Sequence, residues 1–182
     1  MVEQVGNEGD AEMLLETRAS ANGTATFSPE KPEPLYRYRL TRIWDPSKPL
    51  LCWVMLNPST ADHDTNDATI RKCISFARTW GYGGILVVNL FAYRSTDPDR
   101  LVKAKDPIGP FNETAVSTAV RSAGGVIVAW GALSPKLLAA SAIMRLQVTG
   151  ALVPLNCLGK TKDGHPRHPL YIAAKTPMTL WS

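Results

Sequence analysis

Leu50-Leu51-Cys52-Trp53-Val54-Met55-Leu56-Asn57-Pro58-Ser59-Thr60-Ala61-Asp62 is the stretch from which the fold is read. Its apolar run continues from Leu50 to Leu56 and stops at Asn57, where Pro58 has no N–H to extend a ladder. Unbroken apolar strands are those covered on both faces, as in parallel sheets. Ile85–Leu90, Val126–Trp130 and Leu152–Leu158 have the same character. Helical patterns lie between these runs. Ile70, Ile74 and Ala77, with Cys73 beside them, share one face of a helix expected from about Asp67 to Trp80, with Asp67 as N-cap. Asn112–Ala123 reads as a second helix capped by Asn112. Ser134-Pro135 opens a third, running to about Arg145, with serine as cap and proline in the first turn. The succession predicts an α/β fold, a three-layer α/β/α sandwich around a short four-stranded parallel central sheet.

Upstream of this core, Thr24–Phe27 and Tyr36–Ile43 are expected as N-terminal β segments, separated by a connection rich in proline (Pro29, Pro32, Pro34). Tyr36, Tyr38 and Leu40 alternate with Arg37, Arg39 and Thr41, the period of a half-exposed strand. Residues 1–23 are polar, lack a sustained period and hold five acids against the single base Arg18. They read as a mobile acidic tail, and residues 24–182 as one α/β domain.

Hydrophobic residues make up 45% and charged residues 20%, which places the chain among globular proteins rather than disordered ones. No apolar run approaches the roughly 18–20 residues needed to span a bilayer, so no membrane partner is expected. Met1–Asn22 lacks the basic start and apolar stretch of a secretory signal. Cys52, Cys73 and Cys157 form no CxxC pair and leave one unmatched in any disulfide scheme, which fits buried free thiols in a reducing cytoplasm. Outside the tail, nineteen bases face eleven acids. Such a balance suits phosphate-rich ligands, a nucleotide or nucleic acid, as well as plain solubility.

In open α/β sheets ligands bind beyond the carboxyl ends of the strands, so the site is sought there. Asn57 stands where the first core strand stops; Ser59, Thr60 and Asp62 offer short polar groups beside it, able to hold an anion or an attacking water. The same residues also suit a simple capped turn. Asn89 ends the second apolar strand, and its carboxamide carries the paired donor and acceptor that read a nucleobase edge. The connection Ser95–Phe111 is long for a structureless loop. The third strand ends Ala129-Trp130-Gly131-Ala132, just before the Ser134 cap. Beyond the fourth strand, Lys160, Lys162, His165, Arg167 and His168 crowd one loop, a set suited to holding phosphate and donating to an oxyanion. His165 and His168 could instead bind a metal with Asp62, Asp64 or Asp67, but they are split by Pro166, and no resident metal is expected. Glycine-rich phosphate and dinucleotide fingerprints are absent, and no cofactor is expected.

From Thr24 to Leu170 the chain resembles the domain of unknown function 1643 family, found mainly in bacteria and phages. The resemblance is carried by Tyr36-Arg37-Tyr38-Arg39-Leu40, Met55–Asp62, Asn89-Leu90-Phe91-Ala92-Tyr93-Arg94, Ala129-Trp130-Gly131-Ala132 and Gly164–Tyr171. The same order of parts is distantly similar to the uracil-DNA glycosylase superfamily, which implies a glycosylase-like fold and a link to DNA modification or repair. That similarity implies Asn57-Pro58 as the pair that holds water, Asn89 as the base reader, and His168-Pro169 as the support of the leaving base. Phe91 and Tyr93 are candidates for the stacking aromatic. The sequence departs from that superfamily at Leu170, where serine is usual, and in lacking a four-cysteine cluster. The expected function is binding of a nucleobase, nucleotide or nucleic acid, with hydrolysis of an N-glycosidic bond as the catalytic form. The rival is a non-catalytic module that recognises a modified base or nucleotide. A metal-assisted hydrolase is the third option.

Overall fold

The computed structural model describes residues 2–3, 15–28, 34–97 and 99–181. Its strands are β1 (Val2–Glu3), β2 (Leu15–Ser20), β3 (Gly23–Phe27), β4 (Arg37–Ile43), β5 (Leu50–Met55), β6 (Gly84–Asn89), β7 (Gly125–Val128), β8 (Leu155–Cys157) and β9 (Thr179–Leu180). The helices are α1 (Ala68–Thr79), α2 (Asp99–Lys103), α3 (Asn112–Ser122), α4 (Pro135–Ala140) and α5 (Ala142–Thr149). The four apolar runs do form parallel neighbours, in the order β6-β5-β7-β8. They are not the short four-stranded sheet expected. Antiparallel strands continue the sheet on both sides, giving nine strands in the order β1-β2-β3-β4-β6-β5-β7-β8-β9. β4 pairs with the free edge of β6 and β9 with that of β8, which removes two exposed rows of backbone donors and acceptors.

Strand parity explains the unbroken apolar runs. Along β5, Cys52 and Val54 face Val116, Val120 and Met144, whereas Leu51, Trp53 and Met55 face Ile70, Cys73 and Phe76 of α1. Both faces are therefore dry, and the protein is layered helix, sheet, helix. Trp53 is fully buried and its ring stacks 6.3 Å from Trp80. All three cysteines are free and buried, as expected, and burial pushes the Cys52 thiol up to about 12. Among the described residues no helix is long and apolar enough to cross a membrane.

Several boundaries differ from the sequence reading, each for a packing reason. Residues 15–23 are no tail: β2 pairs with β3 from Glu16–Phe27 to Ser20–Gly23, and the Ser20 hydroxyl donates to the His63 carbonyl at 2.9 Å. Leu15–Ser20 has no apolar run to announce a strand; its backbone bonds to β3 make it one. Met1 and residues 4–14 lie outside the described residues. Asn112 is not the cap of α3 but its buried first residue, donating from Nδ2 to the carbonyls of Asn89 (3.0 Å) and Leu90 (3.2 Å). The helix begun by Ser134 breaks at Ser141 into α4 and α5. β4 is interior, so Arg37 is buried rather than placed on a wet face, and Arg42 is buried as well.

Candidate functional site

The loops after β5, β6 and β7 and the turn at Pro169–Tyr171 surround a cleft of about 430 Å³ at the carboxyl ends of the parallel strands. Asn57, Ser59 and His168 line it together, from opposite ends of the domain sequence. Each is held by its local chain. Asn57 directs its Nδ2 to two carbonyls, Pro58 (3.0 Å) and Ser95 (2.7 Å), while Ser95 N–H donates back to the Pro58 carbonyl (3.0 Å). With both amide hydrogens committed, Asn57 is left an acceptor through Oδ1.

His168 caps the turn that follows it, Nδ1 accepting from Leu170 N–H at 3.4 Å. The proton therefore sits on Nε2, making that nitrogen a donor. Burial draws His168 below its usual 6.5, and the Asp67 charge offsets part of this, so the ring is neutral near pH 7. The sign for stability follows. Below pH 6.5 the folded chain binds fewer protons at this ring than the unfolded chain, so stability falls as pH drops through 6.5 toward the folded value. Unfolding free energy measured from about pH 8 to about pH 5 is expected to decline in that window. His168→Gln should flatten the decline; an unchanged slope would assign it to another group.

The remaining sequence candidates are distributed differently. Asp62 does not line the cleft: its Oδ1 accepts from Asp64 N–H (2.9 Å) and Thr65 N–H (2.7 Å), so it shapes the loop instead. Burial raises its carboxyl, but those bonds with His63 and Arg42 outweigh burial and hold it below the usual range. Thr60 is exposed and also outside the lining. Asn89 stands beside Met55 in the β5–β6 register, yet only Met55 reaches the cleft. Asn89 is 1% exposed, and both atoms of its carboxamide lack partners among the described residues. Phe91 is buried in the core on the α3 side, which removes it as a stacking ring. Tyr93 packs edge-on against Tyr36 at 6.2 Å, outside the cleft.

Lys160, Lys162, His165 and Arg167 do not enter the cleft either. They belong to a tight hairpin closed by Arg167 N–H to Gly159 O (2.9 Å) and Thr161 N–H to His165 O (2.7 Å). The hairpin flanks the cleft, because Gly131 N–H donates to the Pro166 carbonyl at 2.9 Å. Gly131 makes that contact with a φ of 80°, where a side chain would be strained. Among the described residues no group of three His, Cys, Asp or Glu side chains gathers to hold a metal, so His165 and His168 form no such set with Asp62, Asp64 or Asp67.

Four cleft residues carry roles the sequence reading did not give them. Tyr171 is 81% exposed at the rim, its ring 6.4 Å from that of His168. Trp130 is buried with an unpartnered Nε1 and meets Trp181 edge-on at 5.9 Å. Asp67 caps α1 as predicted, accepting from Ile70 N–H at 2.8 Å, and also lines the cleft. Arg37 is 2% exposed, donates through Nη1 to the Ala61 carbonyl, and leaves Nε unpartnered. Burial draws its guanidinium down to about 10, still protonated at neutral pH. Residues 37–170 match the family described as protein of unknown function (DUF1643). No curated protein and no solved structure matches the chain.

Proposed function

We propose that this chain, which belongs to the DUF1643 family, uses the cleft to bind the base of a nucleoside, nucleotide or nucleic acid and to hydrolyse its N-glycosidic bond. The observation that carries the reading is that the Asn57 acceptor and the neutral His168 donor, distant in sequence, line one cleft. Asn57 Oδ1 orients a water, and His168 Nε2–H stabilises charge on the departing base. Such fixed donors act through positioning and electrostatics rather than by taking protons. Tyr171 replaces Phe91 and Tyr93 as the ring against which a base stacks. Asn89 reads the base only where the flexible Met55 side chain gives way. The resemblance to the uracil-DNA glycosylase superfamily supports the same division of roles.

The cations Lys160, Lys162 and Arg167 lie on the flanking hairpin, outside the cleft, which suits the phosphates of a strand whose base has entered. The full chain, screened against nucleosides, nucleotides and base-modified oligonucleotides, is expected to bind and to release base. Arg167→Ala should weaken an oligonucleotide about threefold to tenfold at low salt and leave a nucleoside unchanged, because a phosphate contact positions without reading. The difference should close as salt rises. If none of these compounds binds, or if the variant weakens nucleoside and oligonucleotide alike, the reading fails. A non-catalytic base-recognition module is the second reading, favoured by the carboxamide of Asn57, which cannot accept a proton from water.

A further inference from the structure

The cleft is also lined by a carboxylate, Asp67, a group with the proton affinity that a carboxamide lacks. Asp67 uses Oδ1 to cap α1, and Oδ2 makes no hydrogen bond or ion pair among the described residues. Arg37 and His168 line the same cleft, neither within 4.0 Å of the carboxylate. Both nevertheless lie in its field: Asp67 is the largest charge that favours protonated Arg37 and the charge that favours protonated His168. A buried cation and a carboxylate thus line one cleft without forming an ion pair. Arg37 is fixed by the Ala61 carbonyl and keeps a buried, unpartnered Nε, a polar group whose burial is costly. Arg37 and Asp67 also balance in charge. The neutral His168 adds none, so the cleft favours an uncharged ring over a phosphate.

We propose that Asp67 is the base of this cleft, taking a proton from the water that Asn57 orients, with Arg37 as the positioning cation. The proposal rests on the N-glycosidic reading above. The water oxygen attacks the anomeric carbon and the carbon–nitrogen bond breaks. Its electron pair leaves on the base nitrogen while His168 Nε2–H donates to the base. One water proton passes to Asp67, and the other stays on the new sugar hydroxyl. Asp67 then returns its proton through solvent to the released base, so that one water is consumed per bond broken. Asn57 supplies an acceptor for orientation, and Asp67 supplies the proton affinity that a carboxamide lacks.

The test is Asp67→Asn in the full chain. Asparagine caps helices about as well as aspartate, so α1 keeps its N-terminal bond while the cleft loses its carboxylate. Single-turnover base release from the common nucleosides and from a uracil-containing oligonucleotide is compared with their affinities. Release is expected to fall about a hundredfold or more at neutral pH, with affinity held within about twofold. Equal release by the variant and wild type overturns the role of Asp67 and leaves the N-glycosidic reading standing. A parallel loss of affinity makes Asp67 a ligand contact and overturns it as well. Wild type that binds without releasing base refutes both the base role and the hydrolytic half of the functional reading. Absence of both binding and release removes the inference and the functional reading together.

Discussion

Arg37→Ala is expected to lower the unfolding free energy by about 3–5 kcal/mol, the cost of stripping one partner from a buried charged arrangement. The guanidinium is 2% exposed within an interior strand, and its Nη1 holds the carbonyl of Ala61, itself fully buried against α1. Truncation leaves that carbonyl unpaired, opens a cavity between β4 and the 57–67 loop, and deprives Asp67 of its facing cation. Arg42, five residues further along β4 and bonded to the same loop, cannot take over. Its Nε and Nη2 are already committed to Asn66 Oδ1 (2.8 Å) and the Asp62 carbonyl (2.6 Å). Arg37→Lys should rescue only part of the loss, since an ammonium cannot reproduce the planar fork of donors. Urea unfolding monitored by tryptophan fluorescence measures the change. A loss below about 1 kcal/mol would mean that the loop is held by Arg42 alone.

His168→Ala is expected to reduce base release by about a hundredfold to a thousandfold, the usual effect of deleting one preorganised donor to a developing anion. The ring is prepared for that role by three local features. Pro169 starts the turn, Leu170 N–H occupies Nδ1, and burial keeps the imidazole neutral. A neutral donor does not compete with the base for a proton before the bond breaks. His168→Gln retains a terminal N–H donor and should recover part of the rate, whereas a purely structural role would make both variants alike. Equal rates for wild type and His168→Ala would remove His168 from the chemistry. The comparison also separates His168 from the flanking cations, whose loss should weaken strand binding without slowing a bound nucleoside.

Much of the architecture was legible because it depends on local pattern. Leu50–Met55 and residues 85–88 are apolar at every position since both faces are covered, and that signal exists before any neighbour is known. Asp67 and Ser134 were legible as caps because each accepts from a backbone N–H three residues onward. Asn57 could be placed because a polar residue that terminates an apolar run stays beside the loop, and His168 because it lies in the loop beyond the last core run.

What the tertiary structure alone decided is which side chains those strand ends present to a common space. Asn89 and Asn57 look equivalent in sequence, yet Asn89 is buried beside Met55 and Asn57 opens into the cleft, because one residue is the last of its strand and the other lies past it. Phe91 follows Asn89 beyond the end of β6 and turns into the opposite core. Arg37 reads as the wet side of a half-exposed strand; only the placement of β4 between β3 and β6, with the 57–67 loop folded over it, buries that charge beside the site. β2 has no sequence signal, since backbone pairing with β3 makes it a strand. The sequence by itself determined the alternation of strand and helix and the residues that stop each element, because period and capping act within a few residues. Burial, facing and convergence depend on neighbours distant along the chain, and only the folded sheet brings Asn57, Asp67, Arg37 and His168 around one cleft.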